Sequence, residues 1–176
     1  LLDCARLEGK TLIDVGTGAG FPGMVLKILV PSLNVTLLDS LQKRLDWLDE
    51  VAADLSLTGV RTINGRAEEA GQDPALREQF DFATARAVAD LRLLCEMCLP
   101  FVRVGGRFLA MKSTECDEEL EYSSSSIETL GGKLVGCYDY AIPFTDVTHR
   151  VAVIEKISKT PVKYPRRWAK MQKEPL

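Results

Sequence analysis

Thr11-Leu12-Ile13-Asp14-Val15-Gly16-Thr17-Gly18-Ala19-Gly20-Phe21-Pro22-Gly23 is the stretch whose reading decides the fold. A short β-leaning apolar run ends at Val15, glycines follow at alternate positions 16, 18 and 20, and an apolar helical pattern resumes after Pro22. The order strand, bare backbone, helix predicts a turn at which a ligand can come close to the main chain, because glycine has no Cβ and tolerates positive φ. In an α/β chain that turn is the ligand crevice of a doubly wound, mostly parallel sheet.

Two carboxylates bear on the ligand. Gly18, Gly20 and Gly23 satisfy G-x-G-x-x-G, but in a register that starts two residues late, so the dinucleotide fingerprint is weak. Asp14 places a negative charge at the strand end, which would repel a pyrophosphate and attract the ammonium of an amino acid. S-adenosylmethionine carries an ammonium and a sulfonium and no phosphate; the competing reading of Asp14 is a cap on the turn. Asp39 ends the second strand, Asn34 to Asp39, about 20 residues beyond the glycines, where an acid accepts both ribose hydroxyls of an adenosine. Nicotinamide and adenosylmethionine enzymes share that device. A nicotinamide-dependent oxidoreductase therefore stands as the rival of an adenosylmethionine enzyme, and a non-catalytic RNA-binding module as a third reading.

At 176 residues and 46% hydrophobic, the chain has enough apolar mass for one core and one domain. No apolar run reaches the roughly 20 residues of a membrane span, and no signal-peptide pattern opens the sequence. Five scattered cysteines suit a reducing cytoplasm better than a disulfide framework. Cys95 and Cys98 form a C-x-x-C inside a helical pattern without a second Cys or His cluster, which predicts core packing and no metal.

Leu1, Leu2, Cys4 and Leu7 have helical spacing, so residues 1–10 read as the remnant of an N-terminal helical segment, residues 11–158 as the ligand-binding domain and residues 159–176 as a basic tail. Met24, Val25, Ile28 and Leu29 are expected to form the buried face of the first helix, and Leu41, Leu45, Leu48, Val51 and Leu55 that of the second. Val60 to Asn64 and Phe80 to Ala85 read as strands three and four. A helix over Leu91 to Leu99, a turn at Gly105-Gly106 and a strand from Arg107 to Lys112 follow. Asp117 to Leu130 reads as one helix capped by Gly131-Gly132, weak at Ser123 to Ser126. Lys133 to Ile142 and Arg150 to Ile157 complete seven strands as an antiparallel hairpin, with His149, the single histidine, in edge or turn packing rather than acid-base work.

After strand three, Ala67 and Glu68 are the candidates for reading an adenine edge; the alternative is a solvated loop with Glu68 capping a helix. After strand four, neither an Asn/Asp-Pro-Pro-aromatic turn nor a nucleophilic cysteine is present. Arg86 stands there instead, a permanent cation able to hold a carboxylate, a phosphate or the acceptor face of guanine, or else an ion-pair partner for Asp81 or Asp90. From Lys156 to Lys173 the chain carries seven basic residues and no acid, leaving 15 basic against 25 acidic residues elsewhere. Lys163, Arg166, Arg167 and Lys170, with Tyr164 and Trp168 between them, suit an RNA backbone and its unstacked bases.

Asp-Val-Gly-Thr-Gly-Ala-Gly-Phe-Pro-Gly, Leu-Asp-Ser-Leu-Gln-Lys-Arg, Ala-Arg-Ala after strand four and Lys-Tyr-Pro-Arg-Arg near the end together resemble the bacterial 16S ribosomal RNA guanine-N7 methyltransferases, also called glucose-inhibited division protein B. The resemblance spans nearly the whole chain. It implies a class I, Rossmann-like methyltransferase fold, with S-adenosylmethionine at the turn of Gly16, Gly18 and Gly20 and at Phe21, Asp39, Ala67, Glu68 and Arg86. It further implies 16S ribosomal RNA as partner and a guanine of its decoding-region loop as substrate; a monomer without metal is expected. Guanine N7 has a free lone pair, so no general base is expected and Arg86 is the positioning candidate. Members of that family usually carry several dozen helical residues before the first strand, and Gly and Pro where this chain has Ala169 and Met171.

Overall fold

Leu12, Ile13 and Val15 are all apolar and all buried, the mark of a strand covered on both faces rather than one that alternates. They belong to β1 (Thr11–Val15), which pairs in parallel with β2 (Asn34–Asp39) on one side and β4 (Phe80–Arg86) on the other. The computed structural model describes residues 1–2, 4–86 and 89–176; Ala87 of the Ala-Arg-Ala stretch lies outside the described residues. β3 (Val60–Asn64) pairs with β2, and β5 (Val102–Ser113) with β4. β7 (Thr148–Lys156) runs antiparallel to β5, and β6 (Gly132–Ala141) closes the edge antiparallel to β7. The order β3-β2-β1-β4-β5-β7-β6 is the expected seven-stranded sheet with its C-terminal hairpin. Strand order reverses between β1 and β4, so a crevice opens over their carboxyl ends.

Helices cover both faces: α1 (Gly23–Leu29), α2 (Gln42–Asp54), α3 (Ala67–Ala70), α4 (Leu91–Cys98), α5 (Asp117–Tyr122), α6 (Ser124–Thr129) and α7 (Trp168–Lys173). One core layer gathers Leu12, Leu26, Leu37, Leu45, Leu48 and Val153; the other gathers Ile13, Leu38, Leu94, Phe101, Phe108 and Ile154.

Several expectations are corrected. In α1, Val25, Ile28 and Leu29 are exposed, while Met24, Leu26 and Lys27 are buried. Lys27 takes an inward slot because its ammonium donates to the carbonyls of Pro31 (2.6 Å) and Leu33 (2.7 Å), and that rotates the apolar stripe. In α2 the buried positions are Leu45, Leu48 and Ala52, with Leu41 and Leu55 exposed beyond either end. Gly105-Gly106 is no connecting turn: β5 already pairs at Val102, and the register jumps from Phe80↔Val102 to Phe82↔Arg107. The extra residues bulge there, with Gly105 at φ +83° and Gly106 so close to β4 that a Cβ would meet the Asp81 carbonyl at 2.5 Å.

The helix expected over Asp117 to Leu130 is two helices broken at Ser123, whose hydroxyl donates to the Glu119 carbonyl (2.6 Å) and competes with the helical ladder. β6 starts at Gly132 and β7 at Thr148, one and two residues before the expected positions. Nor is the segment after β7 a loose extension. Thr160, Tyr164 and Met171 are buried, and Arg77 donates to the carbonyls of Thr160 and Tyr164, each at 2.8 Å.

Candidate cofactor and substrate crevice

The turn after β1 is held open by conformation. Gly16, Gly18 and Gly20 have φ of +70°, +58° and +84°, the left-handed region that favours glycine. Their roles nevertheless divide. A Cβ on Gly18 would meet nothing nearer than 3.9 Å, whereas one on Gly20 would lie 2.7 Å from both Leu48 and Met24. Gly20 therefore serves the packing of α1 on α2, and the backbone turned toward the crevice is that of Gly16 and Gly18.

Asp14 is displaced from its expected place against a ligand's ammonium. It is 1% exposed and lies beneath the turn, where Oδ2 accepts from the Thr17 hydroxyl (2.7 Å) and the Gly23 amide (3.0 Å). Burial pushes its pKa up to about 6, against the pull of those two hydrogen bonds. The carboxylate thus shapes the turn from below, the capping role that competed with the ligand role.

Asp39, at the end of β2, is buried. Its Oδ2 accepts from the Gly18 amide and its Oδ1 from the Leu41 amide, both at 2.9 Å, with Arg44 at 3.4 Å. The strand-two acid therefore grips the glycine turn directly, and its oxygens keep lone pairs for further donors.

Two cavities meet at Gly16. The smaller, about 180 Å³, is lined by Val15, Leu38, Ala67, Glu68, Met97 and Trp168 among others, so the two residues expected beside an adenine share one wall. The larger, about 580 Å³, is lined by Thr17, Phe21, Arg86, Met111, Tyr140 and His149 among others. Arg86 is exposed at the tip of β4, its guanidinium 5.4 Å from the centre of the Phe21 ring. The ion pairs weighed against a site role do not form: Asp81 pairs with Arg103 (2.6 Å) and Asp90 with Arg92 (2.9 Å). His149 packs on Tyr140, ring centres 6.0 Å apart, and both face the larger cavity.

Sequence reasoning missed Tyr140, Ile142 and Met111 as lining residues; they come from strand ends that meet only through the β5–β7–β6 pairing. Cys95 and Cys98 are buried, and burial pushes both thiols up. Among the described residues no group of three or more His, Cys, Asp or Glu could hold a metal ion, and no helix is long and apolar enough to cross a membrane.

The basic tail is only partly available to a polyanion. Arg166 is committed to Glu96, which is 1% exposed: its amide (2.7 Å), Nε (2.8 Å) and Nη2 (2.6 Å) all donate to that carboxylate. Tyr164 is buried beneath the cations of Lys163 and Arg166. Lys156 is wholly buried, donating to the Leu99 carbonyl and the Thr160 hydroxyl, and burial pushes its pKa down to about 8. Arg166 and Tyr164 are therefore corrected from RNA contacts to docking residues. Lys163, Arg167 and Lys170 stay exposed, and Trp168, half-buried, turns up in the smaller cavity.

Comparison with known proteins agrees with this geometry. The profile of rRNA small subunit methyltransferase G, GidB, matches residues 1–139. The protein of that name from Alkaliphilus metalliredigens is 52% identical over 169 residues, 96% of this chain and 71% of the relative. That of Acetivibrio thermocellus is 52% identical over 175 residues, 98% of this chain and 72% of the relative. Among solved structures, M. jannaschii TYW2 in complex with AdoMet superposes with a TM-score of 0.66 at 16% identity, covering 87% of this chain and 71% of that one; at that identity the likeness speaks for the fold alone. The nicotinamide reading of the glycine turn falls away, and the chain belongs to the rRNA small subunit methyltransferase G family.

Proposed function

We propose that this enzyme, a methyltransferase by family, acts on N7 of a guanine in the decoding-region loop of 16S ribosomal RNA, with S-adenosylmethionine lying across Gly16. The observation that carries the reading is that two cavities share Gly16 as a lining residue, one lined also by Ala67, Glu68 and Trp168 and the other by Phe21 and Arg86. The first suits an adenosine and the second a methionine together with an incoming base.

The residues present fit the cofactor. Asp39, buried between the cavity-lining Leu38 and Ser40 and fixed by the Gly18 and Leu41 amides, keeps lone pairs that could accept from ribose hydroxyls. Ala67 and Glu68 border the smaller cavity, where a backbone amide and a short side chain suit an adenine edge. Arg86, backed by Phe21, offers a cation in the larger cavity for an amino-acid carboxylate. When bound, S-adenosylmethionine supplies an electrophilic methyl group on sulfur.

The chain's own task is then mainly orientation. The carboxylate lining the larger cavity is Glu119, which is occupied by the Lys112 ammonium (2.8 Å) and the Leu91 amide. Among the described residues lining that cavity, the imidazole is His149, which is packed on Tyr140. An acceptor that brings its own lone pair and no proton suits such a cavity, since the gain comes from holding the reacting atoms in line. Phe21, Met111 and Ile142 add apolar surface that would keep water from the developing charge.

Calorimetry with S-adenosylhomocysteine and NADH tests the cofactor half of the proposal. One-to-one binding of the homocysteine compound without NADH binding is expected. Tight NADH binding without the other would overturn it.

A further inference from the structure

The sequence of the segment after β7 suits an RNA backbone, yet its one tryptophan lines the smaller cavity beside Gly16, Ser40 and Ala67. We propose that Trp168 is a cofactor-binding residue of this enzyme, its indole forming the outer wall against which the adenine of the cofactor lies. The proposal rests on the cofactor reading above and goes beyond it by moving the tail into the site.

Three observations carry it. The first is position: Trp168 lines a cavity together with the apolar side chains of Val15, Leu38 and Met97 and the polar ones of Ser40, Arg66 and Glu68. A flat heterocycle entering there would meet both aliphatic groups and an aromatic ring.

The second is that the tail is built into the domain beside α3. Gly71, just past α3, has no Cβ because Pro165 lies there; a Cβ would meet its Cγ at 2.9 Å. Gln72 donates to the Pro165 carbonyl at 2.9 Å, Arg77 holds the carbonyls of Thr160 and Tyr164, and Arg166 is locked onto Glu96 of α4. Two residues beyond that lock α7 begins with Trp168, and Met171 of the same helix is fully buried. The indole is thereby pinned at one place along the wall that Ala67 starts, where an unanchored tail would leave it in solvent.

The third is what Trp168 leaves undone. It is half-buried, packs against the core and also lines the smaller cavity, so it keeps surface that an aromatic ring can offer a stacked partner. The family profile matches residues 1–139, so that match does not reach Trp168.

The test is calorimetry of S-adenosylhomocysteine and of adenosine on the parent, Trp168→Ala and Trp168→Phe. The parent and Asp39→Ala serve as references for the cofactor reading. Base–aromatic stacking of the usual strength predicts that Trp168→Ala weakens both ligands by the same factor, roughly 5- to 150-fold, and that Trp168→Phe stays within a few-fold of the parent. In a Trp47→Phe background, where Trp168 is the only indole, S-adenosylhomocysteine should change the indole emission with a midpoint equal to that variant's calorimetric Kd. Parent-like binding by Trp168→Ala, or emission unmoved at saturating ligand, overturns this inference and leaves the cofactor reading standing. A parent that binds no S-adenosylhomocysteine overturns both.

Discussion

Replacing Arg166 by alanine should cost the fold far more than an exposed tail arginine could. Glu96 is 1% exposed in the middle of α4, and each of its hydrogen-bond donors, the Arg166 amide, Nε and Nη2, belongs to one residue. Arg166→Ala leaves only the amide as a protein donor to a carboxylate that is itself 1% exposed. Removing one partner of a buried ion pair typically costs about 3 to 5 kcal/mol, mostly because the surviving charge stays buried and unpaired. For a chain of this size that corresponds to a fall in Tm of roughly 6 to 20 °C. Urea denaturation followed by far-UV circular dichroism measures it, with Arg167→Ala, a solvent-facing neighbour, as the control expected within about 0.5 kcal/mol of the parent. Glu96→Gln combined with Arg166→Ala should recover part of the loss, because a neutral amide is less costly to bury than a bare carboxylate. If Arg166→Ala unfolds at the same urea concentration as Arg167→Ala, Glu96 and Arg166 are not coupled as described and the docking of the tail needs another cause.

Other outcomes follow from the site. Asp39→Ala should weaken S-adenosylhomocysteine by about 1.5 to 3 kcal/mol, roughly 10- to 150-fold, as hydrogen bonds to a charged acceptor are lost; an unchanged calorimetric Kd would remove Asp39 from the ribose. Asp14 has a folded-state pKa of about 6 against an ordinary 3.8, so the folded state holds its proton more tightly than the unfolded chain. Its contribution therefore opposes folding increasingly as pH rises from about 4 to 6, by on the order of 3 kcal/mol in total. Asp14→Asn, which keeps an acceptor for Thr17 and Gly23, should lack that component, and a pH profile of stability parallel to the parent's would refute it. Replacing Lys163, Arg167 and Lys170 together by alanine should reduce the slope of log RNA affinity against log salt by roughly two units, at 0.7 to 0.9 per phosphate contact. An unchanged slope in a filter-binding titration would place the RNA elsewhere.

The central sheet was legible because β1, β2 and β4 are short, mostly buried, largely apolar runs, β1 followed by Gly16, β2 ending in Asp39 and β4 in Arg86, with loops of ordinary length between them. Helix faces were less so. Periodicity assigns charged residues to solvent, and Lys27 defeats that rule by capping two carbonyls from inside. The tail failed for the same reason: counting charges treated Arg166 and Lys156 as solvated, whereas their partners, Glu96 and the Leu99 carbonyl, lie far back in the sequence. A signal was available in Glu96 itself, an acid set between Cys95 and Met97 in an otherwise apolar stretch, which demands a cation from somewhere. The glycine turn was legible as a ligand mouth, but which glycine faces the crevice and which faces α2 depends on packing that no local pattern records. The aromatic and apolar lining from the C-terminal hairpin was invisible because antiparallel pairing brings it to the crevice from more than 50 residues beyond Arg86.

The most direct test of the function is to treat 16S ribosomal RNA from a strain lacking its own methyltransferase G with this protein and S-adenosylmethionine, then to reduce it with borohydride, cleave with aniline and map the break by primer extension. Methylation at N7 puts a positive charge on the guanine and makes its glycosidic bond labile, so the account predicts one new enzyme-dependent break, in the decoding-region loop. Transfer of label into the RNA without any aniline-sensitive site, or a break outside that loop, would contradict it.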